Sequence, residues 1–325
     1  MMEPKRVTNQ NRIDLSVRVG PLRLKNPVLV ASGTFQFGEE YGRLYDVNAL
    51  GGIVTKTATF HPRRGNPPVR VTETPAGMLN SIGLENKGLE GFVREILPVV
   101  RRWKTCRIVS ISGKNVAEFG VLARTIDRAG GFDAFELNLS CPNVAEGGLD
   151  FSTKPELTEK TVRLVRRNTD RPVIAKLTPN VTDIRPIAEA ALAGGAHAIS
   201  LINTLKGMAV DWRRRRPVLS TVAGGLSGPA VKPVALHLVW QVAKTFRCPV
   251  IGIGGIMTAE DVMEFLAVGA SAVQLGTVNF VEPKAGERIV KELPALLAES
   301  GVRRAAEYVG SLQVPALAPF PRAGL

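Results

Sequence analysis

Short β-branched runs alternate with stretches of helical periodicity along almost the whole chain, and few folds satisfy that pattern. A strand that reads as a continuous apolar run is buried on both faces, so it belongs in a parallel sheet covered by crossover helices. Eight such runs are present, at residues 28–31, 52–56, 108–111, 134–139, 173–177, 198–202, 250–253 and 272–275. Between them apolar residues recur at three- and four-residue spacing, which predicts helices over 89–103, 118–129, 184–193, 231–245 and 259–267. Gly130-Gly131, Gly194-Gly195 and Gly269 stand where three of these helices should stop. Eight β/α units with no break in composition predict a closed (β/α)8 TIM barrel at about 27–312, within one domain spanning 1–325. The rival is an open doubly wound sheet. It requires a dinucleotide fingerprint opening the first helix, and none is there.

Several segments fall outside the repeat. Residues 15–24, turning at Gly20-Pro21, predict a hairpin capping the barrel floor. The long connections 59–87, 144–153 and 204–229 are expected to be lids or binding loops over the barrel mouth. The Pro-rich end, 315–325, is expected to be a flexible tail. An apolar fraction of 45% with 22% charged residues is ordinary for a soluble globular chain. The polar start lacks a secretory signal, and no apolar run reaches membrane-spanning length. Three widely separated cysteines, Cys106, Cys141 and Cys248, give no CxxC pair, so no disulfide framework, metal site or iron–sulfur site is expected. A cytoplasmic protein that does not engage membranes fits best. The net charge of +13 is compatible with an anionic ligand. Its densest run, four arginines at 213–216, reads as a solvated loop, because a nucleic-acid contact would interleave more aromatics than Trp212 alone.

In a barrel of this kind, functional groups gather at the carboxyl ends of the strands. Those ends carry Ser32, Lys56 with Thr57, Ser110 with Ser112, Asn138 to Asn143, Lys176, Asn203 with Thr204, Gly254-Gly255 and Gly276-Thr277. Glycine at a strand end is usually just a turn. Two such pairs after strands seven and eight, with Gly228 to join them, point to a phosphate held by backbone N–H groups. A strand-end lysine ordinarily reaches solvent. Lys56 and Lys176 interrupt apolar strands, and a buried ammonium requires an anion; a reduced flavin would supply one to Lys176. Cys141 follows strand four in a polar loop and is the candidate base, whereas Cys106 and Cys248 precede strands at the opposite end and read as inert. His61, His197 and His237 read as structural. Asn80, Asn138, Asn143 and Asn203 offer donors and acceptors without charge, which suits a pyrimidine acid.

Taken in order, Asn80-Ser81-Ile82-Gly83-Leu84, Asn138-Leu139-Ser140-Cys141-Pro142-Asn143, Lys176-Leu177-Thr178-Pro179-Asn180, Ile202-Asn203-Thr204 and Gly224-Gly225-Leu226-Ser227-Gly228-Pro229 resemble the dihydroorotate dehydrogenases. The likeness runs from about Leu15 to Phe280. Cysteine at 141 is similar to the soluble class 1 enzymes, and Gly147-Gly148 with Val181-Thr182-Asp183 to their 1B subgroup. The resemblance implies oxidation of dihydroorotate to orotate in pyrimidine biosynthesis. It implies FMN at Ser32, Lys56, Thr57, Asn138, Lys176, Ile202, Gly228, Gly254, Gly255, Gly276 and Thr277. The substrate would be held by Lys56, Asn80, Ser81, Ile82, Gly83, Leu84, Asn138, Asn203 and Thr204, with Cys141 removing the C5 proton while hydride leaves C6 for flavin N5. It further implies a homodimer core and an electron-transfer subunit carrying FAD and a 2Fe–2S cluster that passes electrons to NAD. Ser110 departs from the family, which commonly has asparagine there. Two alternatives remain: an FMN-dependent tRNA dihydrouridine synthase, which would need a helical domain after the barrel, and a non-catalytic barrel that binds a phosphate ligand.

Overall fold

The computed structural model describes residues 13–140 and 151–315. All eight expected strands are present, each within a residue or two of its expected bounds: β1 (Val28–Val30), β2 (Gly52–Val54), β3 (Cys106–Ile111), β4 (Ala134–Asn138), β5 (Val173–Lys176), β6 (Ala198–Leu201), β7 (Val250–Ile253) and β8 (Ala272–Leu275). They pair in sequence order, all parallel, and the ring closes through Val273↔Val28, Gln274↔Leu29 and Leu275↔Val30. Continuous burial along β1, β5, β6, β7 and β8 explains why these segments carry no polar alternation.

The outer layer is formed by α1 (residues 88–100, with a π turn at Phe92–Ile96), α2 (Val116–Ala129), α3 (Pro155–Arg166), α4 (Arg185–Ala193), α5 (Lys232–Phe246), α6 (Ala259–Ala267) and α7 (Ala285–Glu299). The α2 helix starts on Asn115, whose side chain accepts from the Glu118 N–H, and it stops at Gly130 with φ 67°. Its buried face of Phe119, Leu122, Ala123 and Ile126 packs on the sheet; burying each of the larger side chains is worth about 2 kcal/mol. The first crossover has no α-helix. Two 3-10 turns, Tyr41–Arg43 and Val47–Ala49, replace it. Here Gly38 and Gly42 lie against the Trp103 ring, where a Cβ would come within 3.0 Å and 2.8 Å of its atoms, and the indole N–H donates to the Phe37 carbonyl.

The expected floor hairpin is formed by Val17–Val19 and Leu22–Leu24. Its turn at Gly20, φ 57°, lies against the His197 carbonyl just before β6, which places it at the amino ends of the strands. The long connections after β2 and β6 depart from their reading as loops. They pair with each other as an antiparallel sheet in the order Leu205–Gly207, Gly224–Ser227, Gly77–Asn80, Val71–Thr74, hereafter the lid sheet. These strands are three or four residues long and glycine-rich, and the central pair, Gly225↔Asn80, joins distant parts of the chain. Local periodicity cannot reveal such a partnership. The arginine run lies at the tip of a further hairpin, Val210–Asp211 with Arg216–Pro217. All four arginines are exposed, as the solvated-loop reading expects; Trp212 is 70% exposed, with Arg213 stacked over its ring. The tail from residue 316 lies outside the described residues.

Candidate active site

At the carboxyl ends of the barrel strands, three hydroxyls form a chain across β1, β2 and β3. Ser32 Oγ lies 3.0 Å from Thr57 Oγ1, which lies 2.9 Å from Ser110 Oγ. Ser110 is therefore tied into the rim. Next along the rim, Ser112 Oγ donates to the Asn138 carbonyl. The Asn138 carboxamide oxygen accepts from Asn203 Nδ2 at 3.2 Å, and Asn203 Oδ1 in turn accepts from the Thr204 N–H at 2.8 Å. Three predicted residues on two strands thus form one connected amide array.

Lys176 stands beside that array, paired in register with Asn138 on one side and Ser200 on the other. It is 7% exposed, and among the described residues no carboxylate lies within ion-pair distance. A buried cation without a counter-ion is costly and is kept where an anion completes it. Lys56, partly buried, is pushed below the usual lysine range by burial; Glu85 opposes the shift and Arg70 adds to it.

The segment from Asn80 to Leu84 descends from the lid sheet toward the same mouth. Asn80 Nδ2 donates to the Gly225 carbonyl across the lid pair. Gly83, φ 79°, and Leu84, φ 55°, hold left-handed backbone, and a Cβ on Gly83 would come within 2.8 Å of Asn66. Two residues that the sequence did not single out brace this turn. Asn66 donates from its backbone to the Ile82 carbonyl and from its amide to the Ser81 carbonyl, and Asn86 donates to the Leu84 carbonyl. Their only sequence signal is asparagine near glycine, which any turn would give. Ser227, quoted above only within its motif, gains a role from the structure: Thr277 Oγ1 donates to its hydroxyl at 2.8 Å, tying the lid to the β8 end.

Glycines follow the ends of β7 and β8. Gly254 and Gly255 have φ 128° and 76°, conformations that strain any other L-residue. Gly255 lies against the first residue of α5, where a Cβ would come within 2.8 Å of the Lys232 nitrogen, so this turn sits at a helix amino terminus. A Cβ on Gly276 would meet nothing closer than Ala31 Cβ at 4.0 Å, so its face is open to a ligand. Ile202 links β6 to β7 by donating its N–H to the Ile253 carbonyl. Gly228, φ 95°, has a different local reason: it packs on Gly77, the turn glycine of the lid.

Cys141 and Asn143 lie outside the described residues. The flanking backbone is fixed, since Leu139 donates to the Lys176 carbonyl and Ser152 donates to the Leu139 carbonyl. The other two thiols are remote from the rim, and burial pushes Cys106 up to about 12 and Cys248 up to about 11, so both stay protonated and unreactive. The histidines contact their own neighbours: His197 accepts from the Val173 N–H, His61 meets the Phe60 ring edge-on, and His237 faces Trp240 on α5.

A sequence model of the family described as dihydroorotate dehydrogenase matches residues 14–297. The chain belongs to the dihydroorotate dehydrogenase family. The relative from Desulforudis audaxviator is 53% identical over 300 residues, covering 92% of this chain and 98% of its own, and is named dihydroorotate dehydrogenase B (NAD(+)), catalytic subunit. Relatives with the same name from Geotalea daltonii and Geobacter sulfurreducens are 48% and 49% identical over 301 residues, covering 93% of this chain and 99% of theirs. Among the described residues, no helix is long and apolar enough to cross a membrane, and no group of three or more His, Cys, Asp or Glu is placed to hold a metal ion.

Proposed function

We propose that this chain oxidises dihydroorotate to orotate with FMN, as the catalytic subunit of an NAD-linked enzyme in pyrimidine biosynthesis. The observation that carries the reading is Lys176, a buried ammonium with no carboxylate partner among the described residues, beside the Asn138–Asn203 amide pair. That combination fits an anionic, flat, hydrogen-bonding ring. The left-handed glycines at the ends of β7 and β8 fit the phosphate of the same cofactor. FMN would be held by Ser32, Lys56, Thr57, Asn138, Lys176, Ile202, Gly228, Gly254, Gly255, Gly276 and Thr277. When bound, it supplies the hydride acceptor.

The residues of the chain do the rest. Lys56 neutralises the substrate carboxylate. Asn80, Ser81, Ile82, Gly83 and Leu84 close over the pyrimidine from the lid, and Asn138, Asn203 and Thr204 fix its amide edge. Cys141 takes the proton from C5 and holds it on sulfur. The chain has three cysteines, too few for the four thiolates of a 2Fe–2S cluster, so electrons leave through a partner subunit that carries FAD and the cluster. Two catalytic chains form the core of that assembly, in the cytoplasm.

The test is anaerobic addition of dihydroorotate to the purified protein. Bleaching of flavin absorption with release of orotate is the expected result. A flavin indifferent to dihydroorotate would favour the tRNA-modifying alternative, and a colourless protein that FMN does not reconstitute would favour a phosphate-binding scaffold.

A further inference from the structure

Glu136 is a carboxylate sealed inside the barrel, 0% exposed, with no part in the chemistry above. Its Oε1 accepts from Ser200 Oγ on β6 at 2.9 Å and from Gln274 Nε2 on β8 at 2.7 Å. Neither strand neighbours β4, so these bonds cross the barrel interior; three even-numbered strands contribute one layer of side chains. Glu136 Oε2 and Gln274 Oε1 are both buried with no hydrogen-bond partner among the described residues. The layer is therefore rich in acceptors and incompletely compensated. Two residues further along β4 is Asn138, which pairs in register with Lys176. The backbone of Glu136 thus lies one pleat, roughly 7 Å, from the position that pairs with the lysine, and Ser200, which donates to Glu136, pairs with Lys176 on its other side. No ion pair joins Glu136 and Lys176, but charges on adjoining levels of a dry barrel interior feel each other beyond contact distance.

We propose that Glu136 is a positioning residue that sets the net positive charge Lys176 presents to the flavin ring and thereby lowers the midpoint potential of the bound cofactor. The inference rests on the flavin reading above. Replacing the carboxylate by an amide of the same shape keeps an acceptor for Ser200 and Gln274 and removes the charge. Reduced flavin is then stabilised by an unopposed ammonium.

The test is a redox titration of the flavin-loaded protein against dyes of known potential. Glu136→Gln is expected to raise the ratio of reduced to oxidised flavin at fixed poise about tenfold, a shift of about 30 mV for two electrons. Glu136→Asp, which keeps the charge, should leave the potential near that of the unsubstituted protein, so the shift follows the charge and not the disturbed packing. An unchanged potential in flavin-loaded Glu136→Gln, or an equal shift in Glu136→Asp, overturns the inference while leaving the proposed function standing. If Glu136→Gln does not fold, Ser200→Ala decides. It removes one donor dipole and keeps the charge, so the ratio should move the opposite way, by about threefold, and no movement overturns the inference. A protein that takes up no FMN at all overturns both this inference and the reading beneath it.

Discussion

Lys176 and Lys56 are both lysines at strand ends, yet their surroundings give them different tasks. Lys176 is buried beside neutral amides, with no carboxylate within ion-pair distance among the described residues, which suits an anionic ligand. Lys176→Met is expected to slow flavin reduction by about two to three orders of magnitude, read by stopped-flow absorbance. Burial depresses Lys56, so with no ligand it loses its proton below the usual lysine value of 10.5. An anionic substrate binds the protonated form. The KM for dihydroorotate should therefore rise with pH on the alkaline side, beginning below 10.5, and Lys56→Arg should abolish that limb even if it binds less well. Cys141→Ala should keep the flavin and slow its bleaching by about 10²–10⁴-fold; reduction at the normal rate would remove the base assignment. The place of Lys56 and Lys176 at strand ends was legible because residue type and strand order suffice to locate such positions in a barrel. Asn66 and Asn86 were not legible, and Ser227 was legible only as part of a motif, without its bond to Thr277. Asn66 bonds Ser81 across the lid connection, whereas Asn86 bonds Leu84 through a local turn that its sequence does not set apart from any other asparagine.

At the scale of elements, two junctions hold the site in place. The first is the start of α6, where Thr258 and Asp261 form a capping box and Asp261 also accepts from Lys232 at the start of α5. Gly255 lies against that same lysine, so the box supports the phosphate turn. Thr258→Ala should cost about 1 kcal/mol and lower the melting temperature by about 2 °C. Burial pushes the Asp261 carboxyl up, but hydrogen bonds from Lys232, Met257 and Thr258 outweigh it and hold the group below 3.8. Its contribution to stability is thus complete above 3.8 and is lost as pH falls through the depressed folded value. Acid unfolding of Asp261→Asn should lose that part of the pH dependence. The second junction is the lid. A Cβ on Gly77 would stand 2.0 Å from the Ser227 carbonyl oxygen, so Gly77→Ala must part the central strands. The expected signature is a raised KM with flavin retained, because Asn80 moves while the barrel does not.

On the scale of the whole molecule, this chain by itself should reduce an artificial dye with dihydroorotate but form no NADH. Adding an iron–sulfur flavoprotein subunit should restore NAD reduction, measured by absorbance. The charge of +13 should also draw an anionic substrate, so kcat/KM should fall as salt is added. Sequence alone determined the eight strands, their parallel order, the closed ring and the rim on which the chemistry stands, since each follows from local periodicity and from the short-range rule that successive β/α units wind one way. Tertiary structure decided the rest. The lid sheet pairs Asn80 with Gly225, the hydroxyl chain joins three strands, and Glu136 meets Gln274 across the barrel. Such contacts are made between surfaces that come together only once the barrel has closed. No window of neighbouring residues contains both partners, so no local pattern can announce them.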